Sequence, residues 1–200
     1  LKSPPFRSYV VSLHLALNGF WAQRVIIGWL AWEMTGSAGF VGLVAFLNFF
    51  PTLFVSPLFG VFADRIDVRK GSILSYALAG LLSALFAGLC IFGSPTPVLL
   101  ALFSFVTGAI SSANHPMRMS LTPRLAPAGD LPSVVAITSL NFNMSRLTGP
   151  AIGGILIQTI GAPLAFAVTA MTYAAPVTAI YFMRPRERAT PAQAAATGYL

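Results

Sequence analysis

The sequence predicts an all-α membrane protein of six transmembrane helices, arranged as two inverted three-helix repeats. Three observations predict it. Apolar residues make up 56% of the 200 positions and charged residues only 8%, against about 25% charged in soluble domains; so few charges cannot cover the surface of a water-soluble globule. The 12 Lys and Arg outnumber the 5 Asp and Glu, but they gather in short clusters between apolar runs, which is a topology pattern rather than a nucleic-acid footprint. Finally, the chain resembles itself at an offset of 93 residues. Leu47-Asn48-Phe49 meets Leu140-Asn141-Phe142 and Ser56-Pro57 meets Gly149-Pro150, with five identities over the 14 positions from 47 to 60.

The elements follow from where charges interrupt the apolar runs. Met34 to Ala63 holds 30 consecutive uncharged residues, Gly71 to Met117 holds 47, and Leu131 to Met183 holds 53 broken only by Arg146. A membrane helix needs about 20 residues, so the first stretch holds one span and the others two each. Gly93-Ser94-Pro95-Thr96-Pro97 divides one and Gly161-Ala162-Pro163 the other. With the run from Tyr9, this predicts helices near 9–32, 39–62, 72–92, 98–116, 133–159 and 163–183. The first run is too long for a signal-peptide core and is read as a retained helix.

Ten Lys and Arg (Lys2, Arg7, Arg65, Arg69, Lys70, Arg118, Arg124, Arg184, Arg186, Arg188) flank the spans on one side, and the connections of the other side carry none. The positive-inside rule makes both ends cytoplasmic. Residues 1–8 form a cytoplasmic amino end, 9–183 the helical bundle, and the polar Ala-, Pro- and Thr-rich 184–200 the start of a linker. The chain starts at Leu and stops in that linker, so a further half is expected beyond it.

A shift of three helices reverses direction in the membrane, so the repeat is an inverted one, as in many secondary transporters with a midplane site. Two arginines lie where lipid should be. Arg24 and Arg146 sit about 20 Å into their helices at 1.5 Å per residue, a placement that costs at least about 2.5–3.5 kcal/mol. Each must face a wet cavity, a carboxylate or freed carbonyls. Asn18, Trp21, Gln23 and Arg24 on helix one, with Ser139, Asn143 and Arg146 on helix five and Asn48 on helix two, mark a candidate substrate pathway. Gly149, Pro150, Gly153 and Gly154 would thin and kink helix five. Glu33, at the outer end of helix one, is the candidate proton carrier, while a packing role is expected for His14. Cys90 is the only cysteine, so neither a disulfide nor a zinc site is expected. No cofactor is called for, and no nucleophile–base set indicates an enzyme.

The turn Gly60-Val61-Phe62-Ala63-Asp64-Arg65-Ile66-Asp67-Val68-Arg69-Lys70 packs charges densely enough to serve as a cytoplasmic gating latch, with Gly60, Asp64, Arg65, Arg69 and Lys70 its members. It resembles the signature of the major facilitator superfamily between the second and third helices, with Phe62 for Leu and Asp67 for the second Gly. Trp21-Ala22-Gln23-Arg24, Asn114-His115-Pro116-Met117-Arg118 and Ser139-Leu140-Asn141-Phe142-Asn143-Met144-Ser145-Arg146 resemble the subgroup of the enterobactin exporter and macrolide-efflux permeases. The resemblance implies the amino-terminal half of a twelve-helix permease whose helices one, two, four and five line the cavity. It also implies an exporter of a small aromatic or anionic molecule, moved by alternating access and coupled to protons. Gly149-Pro150-x-x-Gly153-Gly154 is similar to the antiporter motif, although Ser145 replaces its leading Gly. Ser104 stands where the superfamily's buried arginine is found, which puts the usual coupling arrangement in doubt. An importer of a small metabolite, or the six-helix domain of an ATP-driven exporter, remains as an alternative. The latter needs longer cytoplasmic extensions than connections of about 10–16 residues. The expected partners are the lipid bilayer of a bacterial inner membrane, a small-molecule substrate, protons and the missing carboxy-terminal half, with no nucleic acid.

Overall fold

A computed structural model describes residues 4–55, 57, 67–93, 95–125 and 131–183. Its helices are α1 (Pro4–Thr35), α2 (Ala38–Phe49), α3 (Val68–Phe92), α4 (Pro97–Leu125), α5 (Leu131–Thr172) and α6 (Ala174–Phe182). Five stretches of the described residues are long and apolar enough to cross a membrane. The last, Pro132–Phe182, is 51 residues long and would run about 75 Å if straight, more than twice the hydrocarbon thickness. It does not run straight. Gly161 has φ +78° and ψ 163°, a conformation open to glycine alone, and it reverses the chain. Before it, Asn141, Ser145 and Gly149 lie beside Val10, His14 and Asn18 in rising order. After it, Phe166 clusters with Ile26, Thr169 and Thr172 lie against Gly19, and Ile180 clusters with Phe6. The first arm is parallel to α1 and the second antiparallel.

The ends of the elements have local causes. Gly36 (φ +61°) accepts the left-handed turn that closes α1, its N–H donating to Trp32 O at 2.7 Å, and Ser37 caps α2 through Phe40 N–H. Asp67 caps α3 by accepting from the N–H groups of Arg69 and Lys70, so this helix starts a turn before the expected residue 72. α4 runs nine residues past the expected end at 116. Pro116 and Pro123 lie inside it, tolerated because neighbouring groups satisfy the carbonyls a proline frees. Arg118 and Arg124, expected in a connection, are therefore helical.

The repeat seen in the sequence organises the bundle. Pro4 and Pro97, Ala38 and Leu131, and Val68 and Gly161 begin corresponding segments, 93 residues apart in every case. Its hydrogen bonds correspond as well. Asn48 donates to Thr107 Oγ1 (3.2 Å) and Ser104 O (3.0 Å), joining α2 to α4. Its mate Asn141 meets His14 Nδ1 (2.6 Å) and donates to Val10 O (3.1 Å), joining α5 to α1. One turn on, Thr52 bonds Ser112 at 2.8 Å and its mate Ser145 accepts from Asn18 at 3.3 Å, one residue from the position that corresponds to Ser112. In hydrocarbon, polar side chains must find partners within the protein, so these pairs fix which helices touch.

Two apolar clusters stack along the bundle axis. One holds Tyr9, Leu13, Tyr76, Leu121 and Ile180 at the amino-terminal end of α1; the other holds Ile26, Phe86, Phe103 and Phe166 towards its far end. Outside them Leu85, Leu102, Ile155 and Leu164 are exposed, as expected of a lipid-facing surface and not of a soluble one.

The α1–α5 seam is a close backbone contact and generates two predictions. A Cβ at Gly149 would lie 2.5 Å from Trp21 Cβ, and one at Gly153 2.8 Å from Ala22 O, whereas Gly154 has nothing within 4 Å. Gly153→Leu should lower the unfolding free energy of detergent-purified protein by about 1–3 kcal/mol as for other overpacked sites, and Gly154→Ala should not lower it. Gln23 donates to Ser83 Oγ (2.7 Å) and accepts from Tyr173 O–H (3.0 Å), tying α1 to α3 and to the α5–α6 junction. Gln23→Ala should cost about 0.6–1.7 kcal/mol per lost bond in the same assay.

Candidate functional site

Arg24 reaches out from α1 into a box of ring faces. Its guanidinium carbon is 4.0 Å from the centre of Phe49 on α2, 4.6 Å from Phe20 and 5.1 Å from Trp21. Trp21 is shared, because the Arg146 guanidinium of α5 lies 5.7 Å from the same indole. Phe142 meets Trp21 edge-on at 5.9 Å, and on its own face carries Arg118 of α4 at 5.6 Å. Three cations and four rings thus form one connected cluster, drawn from α1, α2, α4 and α5.

Magnitudes indicate what the rings do. A cation–π contact contributes about 0.5–1 kcal/mol when exposed and about 2 when desolvated. Three such contacts offset most of the insertion cost of an arginine at this depth. They do not neutralise the charge. Glu33 is exposed at the end of α1, nine residues and about 13 Å along the helix from Arg24. Among the described residues, Arg24 Nε and Trp21 Nε1 are buried without a hydrogen-bond partner. The cluster is a positive, aromatic-walled surface suited to a group that brings negative charge, hydrogen-bond acceptors and a flat face.

The other residues expected on the pathway divide into two sets. Ser139 and Asn143 line a cavity of about 240 Å³ between α1, α4 and α5, together with His115, Arg118 and Phe142. Asn18, Gln23 and Asn48 are buried and bonded between helices. Asn18 donates to Ser145 and to His14 O, and accepts from Thr148 O–H at 2.6 Å. His14 belongs to this seam, touching Asn141, Asn18 and Ser145. Ser104 is fully buried, its hydroxyl donating to Leu100 O. Pro150 lies within α5 without ending it.

Of the turn motif, Gly60, Asp64 and Arg65 lie outside the described residues. Arg69 donates to Ile180 O (Nε, 3.2 Å) and Tyr181 O (Nη2, 2.5 Å), a cation on the last carbonyls of α6, where the helix dipole favours it. Lys70 contributes its backbone N–H to the Asp67 cap.

Sequence reasoning missed Phe20, Phe49, Phe142, His115 and Arg118 as site residues. A signal was there. Phe20 precedes Arg24 and Phe142 precedes Arg146 by four residues, the spacing of side chains stacked on one helix face. Phe49 and Phe142 are the same residue of the repeated Leu-Asn-Phe.

The sequence pattern of the transmembrane secretion effector family matches residues 1–197. The staphyloferrin A transporter of Staphylococcus aureus is 26% identical over 81% of this chain and 41% of its own length. The multidrug efflux pump Tap of Mycobacterium tuberculosis is 27% identical over 90% of this chain and 44% of its own. The enterobactin exporter of Citrobacter koseri is 31% identical over 66% of this chain and 29% of its own. The chain therefore spans rather less than half the length of the curated relatives it matches. No solved structure matches it. Apolar helices, the inverted repeat and the family match agree: this is a multi-pass membrane protein of the transmembrane secretion effector family, within the major facilitator superfamily.

Proposed function

We propose that the chain is the amino-terminal half of a secondary exporter that moves a small aromatic or anionic molecule out of a bacterial cell. The carrying observation is the Arg24–Trp21–Arg146 cluster with Phe49. It presents unneutralised charge and ring faces at mid-helix depth, on the helices that the resemblance assigns to a central cavity. A charge at that depth is expected where water or a substrate enters. The inverted repeat supports alternating access, since two structurally equivalent triplets of opposite direction can close either face of one site. The names of two relatives, an efflux pump and an exporter, favour the outward direction over import. A carboxy-terminal six-helix half would complete the cavity, with both ends of this half on the cytoplasmic side of the inner membrane.

Coupling to protons belongs to the same proposal. Glu33 is exposed and distant from the cluster, which makes it a weak carrier for this half; a carboxylate of the other half facing Arg24 or Arg146 would serve better.

Cells expressing the full-length transporter should accumulate less of an aromatic anion such as a fluorescent carboxylate dye than cells without it, and collapsing the proton gradient should abolish the difference. Arg24→Ala and Arg146→Ala should each reduce export at least tenfold at normal membrane levels. Unchanged export in both variants would remove the cluster from the pathway. Cysteines at 143 and 146 should react with a membrane-impermeant maleimide in the intact carrier, and failure to react in every state would deny a water-filled route there.

A further inference from the structure

A second cation stands in the pseudo-symmetric place of Arg24, with a chamber beside it. Arg24 of α1 lies over Phe49 of α2, and Arg118 of α4 lies over Phe142 of α5. The phenylalanines are 93 residues apart and the arginines 94, so the inverted repeat carries the cation–ring pair to the other triplet. What differs is the surroundings. Arg118 borders an inner chamber of about 90 Å³ between α1, α3, α4 and α5, whose polar lining also includes Ser75, Tyr76, Ser111, Asn114 and His115. That volume is several times what one water molecule needs.

The wall of this chamber is built rather than incidental. Tyr76 is 6% exposed, and although Asn114 lies near its hydroxyl, no group among the described residues meets it with hydrogen-bonding geometry, the Asn114 amide donating to Ser75 instead. A buried unpartnered hydroxyl costs about 1–3 kcal/mol, a cost that a bound hydrogen-bond acceptor would remove. Asn114 donates to Ser75 Oγ at 2.6 Å, which holds α4 against α3 at the level of the chamber. Phe20 and Phe142 supply apolar wall, and both also touch Trp21 of the Arg24 cluster. The chamber is therefore continuous with the aromatic surface of the candidate site.

We infer that this chamber is a subsite for one anionic group, a carboxylate or phenolate, held by the guanidinium of Arg118 and the hydroxyl of Tyr76. The occupant is either the charged end of the transported molecule or a free inorganic anion. Both would use the same donors. The proposal rests on the reading of the chain as half of an aromatic-anion exporter, and it adds a station on the α4 side to the Arg24–Arg146 cluster. Arg118 and Tyr76 touch the ligand directly in it, while Asn114 and Ser75 are positioning residues.

The test is equilibrium dialysis of radiolabelled salicylate against the purified full-length transporter in chloride-free buffer. Salicylamide, of the same shape without the charge, and added chloride serve as competitors. Saturable salicylate binding is expected, with salicylamide at least tenfold weaker. Arg118→Gln should weaken salicylate at least tenfold and Tyr76→Phe about three- to tenfold, neither by unfolding the protein, and Tyr76→Phe should if anything raise the unfolding midpoint of the ligand-free protein. Competition by chloride at millimolar concentration identifies a free inorganic anion as occupant, and its absence identifies the organic carboxylate. Equal binding in wild type, Arg118→Gln and Tyr76→Phe overturns the subsite, as does a wild type that shows no saturable salicylate binding. Loss of dye export in Arg24→Ala with intact salicylate binding would separate the two stations. Loss of the subsite with export retained leaves the exporter reading standing.

Discussion

Backbones of α1 and the first arm of α5 come so close that a single methyl at Gly149 or Gly153 would collide with Trp21 or Ala22. Beside this contact runs a row of polar side chains, from Asn141 through His14, Ser145 and Asn18 to Thr148. Lipid tails give helices no hydrophobic reason to associate, so close packing of small residues and interhelical hydrogen bonds must do it. Because the two helices are parallel and in fixed register here, Trp21 is placed between Arg24 and Arg146. The contacts of Trp21 with Arg146 and Phe142 follow from that register, while Phe49 and Arg118 are brought in by the packing of α2 and α4.

The inverted repeat then copies the arrangement at lower fidelity. The α2–α4 contact also uses an asparagine, a hydroxyl pair and a glycine, Gly108, whose Cβ would overlap Asn48 O. Chemistry has diverged within the shared geometry: His14 on one side corresponds to Thr107 on the other, and the cation of α4 is one residue out of register with that of α1. On the proposed exporter reading, equivalent backbones with unequal side chains would let the two triplets close in different states. Aromatic faces suit such a site. They hold an arginine without fixing it to one acceptor, so a ligand can take over the guanidinium without an ion pair being broken first.

Much of this was legible in the chain. Charge-free runs, Gly-Pro breaks and the offset of 93 gave the fold class, the position of the reversal at Gly161 and the correspondence of Asn48 with Asn141. Helix ends were less legible. The charge of Arg118 ends the apolar run at Met117, but α4 continues to Leu125 with Pro116 and Pro123 inside it, because neighbouring groups can satisfy the carbonyls a proline frees. That single misreading placed Arg118 in a connection and hid it from the candidate site. Polar stripes were legible as stripes but not by role. Asn18, Gln23 and Asn48 bond neighbouring helices, whereas Asn143 and Ser139 face a cavity, and helical periodicity assigns residues to faces without saying which neighbour a face meets.

By itself, the sequence determined that this protein lies in a membrane, how its apolar runs divide, and that its two triplets are related by inversion. Those are properties of composition and spacing, set by the thickness of hydrocarbon and the cost of charge within it. Tertiary structure alone decided that Phe49 faces Arg24, that Trp21 serves two cations, and that Tyr76 and Arg118 share a chamber. Apart from Trp21 and Arg24, neighbours on one helix, the partners lie 25 to 125 positions apart, and contact between them depends on how helices pack, which no local pattern encodes.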